Sequence, residues 1–64
     1  MRVLELELED AESPNNLGAA YAEKGDFEDA VTHFAEAVRL RPGYAEAERN
    51  LEMARRVLDV FDEP

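Results

Sequence analysis

Sixty-four residues, 16 acidic side chains against 7 basic ones, a net charge of −9 and no cysteine describe one small unit. Its core is marginal, because a chain of this length buries only about 60% of the surface that it exposes when unfolded. The charge argues against nucleic acid, whose binders cluster Lys and Arg, and against an anionic membrane surface. The acidic balance admits a basic partner, and a highly charged, soluble surface explains it equally. Without cysteine there is neither a disulfide nor a thiolate metal site, so stability has to come from helix stacking or from self-association. No run of about 18 apolar residues occurs. Residues 1–10 carry one Arg and four acids rather than the basic-then-apolar order of a signal peptide. A cytoplasmic location is the expectation.

In chain order, Val3, Leu4, Leu6 and Leu8 alternate with Glu5, Glu7 and Glu9. The alternation reads as a half-buried strand, whereas the abundance of Leu and Glu reads as a helix; both remain open from these residues alone. Residues 10–13 are polar and turn-like. Ser13 and Pro14 suit a helix start, with Ser as cap and Pro at the first helical position. The first helix then runs to about Lys24. Leu17, Ala20 and Tyr21 share one face of it, and Gly18 beside them lets a second helix come close.

Gly25 can take the left-handed conformation that stops this helix, and Asp26 can cap the next one. The second helix spans 27–40, with Phe27, Ala30, Val31, Phe34, Ala37 and Val38 as its apolar stripe. Packing Phe34 against Gly18 and Ala20, and Tyr21 against Ala30, alternates large and small across the seam. Arg41, Pro42 and Gly43 end the helix, since a residue before Pro avoids helical angles. A third helix without internal Pro or Gly is predicted over 44–61, with a frayed end at 62–64.

Leu17-Gly18-x2-Tyr21, Ala30-x3-Phe34 and Pro42 follow the spacing of the tetratricopeptide repeat, a helix–turn–helix of about 34 residues. The chain resembles that family over residues 11–58, with Pro14 standing where the pattern opens on Trp. The resemblance implies an all-α fold, a fragment of an α-α superhelix. Residues 11–44 would form an antiparallel hairpin and 45–64 a third, capping helix. Shifted by about 34 residues, Val3-Leu4-Glu5-Leu6 falls on Ala37-Val38-Arg39-Leu40. Residues 1–10 then read as the tail of an earlier repeat's second helix, which tips the balance there towards helix, although Leu8 stands at the Pro position.

At the same offset the third helix repeats the first. Ala11 matches Ala45, Asn16 matches Asn50, Leu17 matches Leu51 and Ala20 matches Ala54. Glu52 replaces Gly18, Arg55 replaces Tyr21 and Asp59 replaces Gly25. Polar residues at positions that face a following helix suit a terminal, solvent-facing helix that runs past the point where the first one turns. The expectation is a chain that closes an array at its C-terminus and cuts through one at its N-terminus.

No catalytic constellation stands out, so no enzyme activity, cofactor or metal is expected. His33 is the sole histidine, and its place beside Ala30 and Phe34 suggests a rim residue without partners for catalysis or metal binding. Asp26, Glu28 and Asp29, like Glu46 and Glu48, suit helix N-termini. In the family that the chain resembles, the first helices of successive repeats line a concave groove for a peptide or partner helix. Carried over, the groove positions are Asn15, Ala19, Ala22 and Glu23 on the first helix and Arg49, Met53, Arg56 and Val57 on the third.

Asn50 stands at the Asn position of the carboxylate clamp found in some members. Asn15 and Ala19 occupy the places of that clamp's first Lys and Asn, so a clamp is not expected. Met53, Val57, Val60 and Phe61 form a second apolar stripe on the third helix, beside the inward stripe of Leu51, Ala54 and Leu58. Either Val60 and Phe61 fold back on the core or the stripe is an interface. The expected function is a protein-interaction module that takes a protein or peptide partner. The alternative is a self-assembling repeat that forms a homo-oligomer across chains. Nucleic acid and direct membrane insertion are not expected.

Overall fold

The computed structural model describes residues 10–62, which form α1 (Glu12–Glu23), α2 (Phe27–Leu40) and α3 (Ala45–Asp62). The expected choice between helix and strand at residues 3–8 lies outside the described residues. Within them the architecture is all-α: α1 and α2 pair as a hairpin, and α3 packs against α2 and touches α1.

The first helix begins earlier than its sequence signals suggest. Ala11 precedes it with helical angles and no side-chain cap. The Ser13 N–H donates to the Asp10 carbonyl at 3.1 Å, and the Asn15 N–H to that of Ala11 at 3.3 Å. Ser13 is therefore a first-turn residue and not the cap. Pro14 is tolerated beside it, because N–H groups of the first turn have no partner four residues back.

The end of α1 follows the reading of Gly25. Its φ is +87°. The Asp26 N–H reaches back to the Tyr21 carbonyl at 2.9 Å and the Gly25 N–H to that of Ala22 at 3.0 Å, the paired bonds of a Schellman turn. A Cβ at Gly25 would meet no atom within 4 Å, so replacing it tests conformation alone. Gly25→Ala is expected to cost about 1 kcal/mol, a fall of roughly 4–8 °C in the thermal midpoint followed by circular dichroism. An unchanged midpoint would remove the left-handed turn as the reason for glycine.

Asp26 occupies the cap position of α2, yet its side chain makes no capping hydrogen bond. Its carbonyl accepts the Ala30 N–H at 3.0 Å. The carboxylates of Glu28 and Asp29 sit in the first turn of α2, where they complement the partial positive charge of the helix end. Ahead of Pro42, Arg41 is extended at φ −136° and ψ 87°. Gly43 turns at φ +88°, and the Arg41 guanidinium lies 4.8 Å from the centre of the Tyr44 ring.

Most of the fully buried apolar side chains are small: Ala11, Ala30, Ala37, Ala47 and Ala54, with Phe34 the single large one among the described residues. Alanine at these seams lets the helices approach closely, and Phe34 fills the space between them. Tyr21, Ala22, Phe27, Val31 and Leu51 close around Ala30, Phe34 and Ala54. The Phe34 ring lies directly on Gly18, where a Cβ would stand 2.6 Å from its Cδ1.

Two residues assigned to the buried face of α1 depart from expectation. Ala20 is exposed, so it is not a neighbour of Phe34, and Leu17 is 46% exposed. The buried line of α1 passes through Ala11, Asn15 and Gly18, which turns Leu17 and Ala20 to the flank. On α3, Ala54 is buried, Leu51 and Leu58 are half-buried, and Glu52 and Arg55 are exposed. The helix continues past Asp59, as its missing glycine predicts.

Candidate functional site

Among the described residues no three His, Cys, Asp or Glu side chains gather as a metal site would require, and no helix is long and apolar enough to cross a membrane. His33 stacks on Tyr21 with ring centres 5.2 Å apart and planes 1° from parallel. The Lys24 ammonium lies 5.2 Å from the centre of the same Tyr21 ring. His33 is thus half-buried in a packing role.

The positions expected to line a groove fall on α1 and α3. Among the described residues one side-chain hydrogen bond joins these helices: Asn50 Nδ2 donates to Asn15 Oδ1 at 3.1 Å. Asn15 is only 3% exposed, so its polar atoms serve the floor between the helices and leave little for a ligand. Asn50 is half-buried beside it. No buried side-chain polar atom among the described residues lacks a partner. The Asn pair therefore joins the two helices without an unsatisfied group.

On the α1 wall Ala19 and Glu23 are exposed and Ala22 is half-buried. On the α3 wall Arg49, Met53 and Arg56 are exposed and Val57 is half-buried. Arg49, Asn50, Glu52, Met53 and Arg56 line an open cleft of about 390 Å³. Met53 is 57% exposed within it. Arg56 Nη2 lies 3.3 Å from Glu52 Oε2, one turn back along the helix.

The two flanks of α3 differ in chemistry. At about 100° per residue, Met53, Val57 and Val60 project on the groove side, with Arg49 and Arg56 at their edge. Glu48, Arg55 and Asp59 project on the opposite side, and Glu52 lies at the boundary, lining the cleft beside Met53. The apolar surface thus stays on one flank, with Arg49, Arg56 and Glu46 around it. The α1 wall carries negative charge through Glu23. Glu12 extends the same stripe by its spacing from Asn15, and Glu46 precedes Arg49 in the same way. Glu12 and Glu46 are both exposed and stand three residues ahead of Asn15 and Arg49, a spacing that sequence reasoning did not use to extend the two stripes.

Val60 and Phe61 do not fold back on the core: they are 71% and 79% exposed.

Residues 15–44 match the family model of the tetratricopeptide repeat. The comparison with curated proteins gives no match, and neither does the comparison with solved structures.

Proposed function

The chain carries a tetratricopeptide repeat, a non-catalytic module that generally mediates contacts between proteins, and we propose on that premise that it holds a partner helix or peptide between α1 and α3. The observation that supports this reading is the asymmetry of α3. Met53, Val57 and Val60 share the flank that faces the groove, and the opposite flank carries Glu48, Arg55 and Asp59. The small side chains of Ala19 and Ala22 let a partner backbone come close to α1. Asn15, bonded to Asn50, sets the spacing of the walls. Arg49 and Arg56 on one side and Glu23 on the other fit a partner with an acidic edge and a basic edge about an apolar ridge.

Head-to-tail stacking of copies is the competing reading, and the end faces do not favour it. It would press the face that bears Pro14 and Leu17 beside Asp10 and Glu36 onto Glu52, Arg55 and Asp59, two carboxylate-bearing surfaces against each other.

Selection of helical peptides from a displayed library against the wild-type chain tests the groove. Ala19 and Met53 are both exposed, so Ala19→Glu and Met53→Glu leave helicity intact. Each is expected to weaken the selected peptides by at least about tenfold. Peptides that bind both variants as tightly as the wild type would sink the assignment. Concentration-dependent mass in light scattering that is abolished by Leu17→Glu would favour stacking instead.

A further inference from the structure

The groove does not account for the most exposed large apolar side chain among the described residues, Phe61, at 79%. Its position follows from one substitution within the repeat. Phe61 stands at the repeat position of Phe27, and Asp59 at that of Gly25. After Gly25 the chain reverses, and Phe27 turns in to pack against the core. Asp59 has a Cβ that disfavours the same left-handed turn. So α3 runs straight on to Asp62 and carries Phe61 beyond the core.

There Phe61 joins Phe27 and Leu58 in a cleft of about 500 Å³, closed by Gly25, Asp26 and Glu28. Asp26 and Glu28 are exposed on its rim. Among the described residues neither carboxylate forms an ion pair. The nearby Lys24 directs its ammonium over Tyr21.

We propose that this cleft is a second docking surface, separate from the groove, that takes a basic segment of a partner protein. An apolar side chain of that segment seats between Phe27, Leu58 and Phe61, and flanking Lys or Arg side chains reach Asp26 and Glu28. The charge selects this occupant. A second copy would bring the same carboxylates against their own kind in a chain of net charge −9, and an acidic segment would be repelled in the same way. The cleft lies about 12 Å along α3 from Met53, eight residues at the helical rise, so groove substitutions leave it intact.

Titration of the isotope-labelled chain, followed through its amide NMR signals, decides the matter. One probe is a short amidated peptide with central leucines flanked by lysines; the other is the same peptide with glutamates in place of the lysines. The lysine peptide is expected to shift residues 25–28 and 58–61 saturably, and the glutamate peptide to leave them unmoved. Phe61→Ser is expected to weaken the lysine peptide about tenfold. Asp26→Asn combined with Glu28→Gln is expected to weaken it about fivefold and to reduce its sensitivity to salt. Met53→Glu is expected to change nothing.

The exposure of Phe61, Asp26 and Glu28 keeps these variants folded, which their circular dichroism verifies. The proposal is overturned if the cleft signals stay still, if both peptides shift them equally, or if the lysine peptide shifts residues 49–57 instead. It is overturned equally if the cleft signals depend on the chain's own concentration, since a second copy would then be the occupant.

Discussion

Replacing Phe34 by alanine is expected to unfold most of the chain at room temperature. A buried Phe→Ala change costs about 3–5 kcal/mol, and a chain of this size has roughly 3–10 kcal/mol to lose. Phe34 is 2% exposed and is the one large side chain among the buried apolar residues described; the others are alanines. It touches Gly18 on α1 and clusters with Ala54 of α3. Its removal therefore empties both seams of α2 at once, and the remaining alanines are too short to close the gap. Far-UV circular dichroism at 25 °C should lose more than half of its helical signal, because helices of this length are marginal without packing. A cooperative melt close to that of the wild type would show that the alanine seams alone hold the three helices.

Gly18→Leu is expected to be comparably damaging, by the opposite mechanism. A Cβ at residue 18 would stand 2.6 Å from Cδ1 and 2.7 Å from Cε1 of the Phe34 ring. The ring is buried and cannot swing into solvent, so α1 and α2 must separate. Even Gly18→Ala sets a gain of about 1 kcal/mol in helix propensity against an overpacking cost of about 1–3 kcal/mol; the rest of a leucine side chain makes the cost dominate. The sharper measurement is a cycle of urea unfolding with Gly18→Ala, Phe34→Leu and both together. Residues in contact couple by about 0.5–3 kcal/mol. The smaller residue at 34 should relieve the crowding at 18, so the double variant should lose less than the sum. Strict additivity would mean that ring and glycine do not meet.

Much of this arrangement was legible in the sequence because it rests on local chemistry. Gly25 ends α1, Arg41 before Pro42 ends α2, and the spacing of Gly18 and Phe34 brings a ring onto a gap. The start of α1 was misread because Ser13 and Pro14 fit a helix start in isolation. The backbone bonds that begin the helix engage Asp10 and Ala11, and Asp10, itself a residue type that favours helix starts, is the signal that the Ser13-Pro14 pair overshadowed.

Leu17 and Ala20 were assigned inward by periodicity. Periodicity identifies residues that share a face, but the face that is buried depends on which neighbours are present. The burial of Asn15 against Asn50 was not legible, since that bond joins residues 35 apart in sequence. The exposure of Phe61 was one of two outcomes left open. Comparing Asp59 with Gly25 supplies the reason: a helix that is not told to stop carries its last aromatic residue into solvent.

The alliance of α2 with both of its neighbours also sets a time order. Helix contacts run mainly between elements adjacent in the chain, and α1 and α3 meet sparingly. Little loop-closure entropy stands between the unfolded chain and its first native contacts, so folding belongs to the microsecond-to-millisecond class of low-contact-order proteins. The same adjacency makes disassembly sequential. Either outer helix can peel while the remaining pair keeps its seam, and the amides of α2 are the last to open. The molecule behaves in time as a short zipper closed from its middle tooth, Phe34.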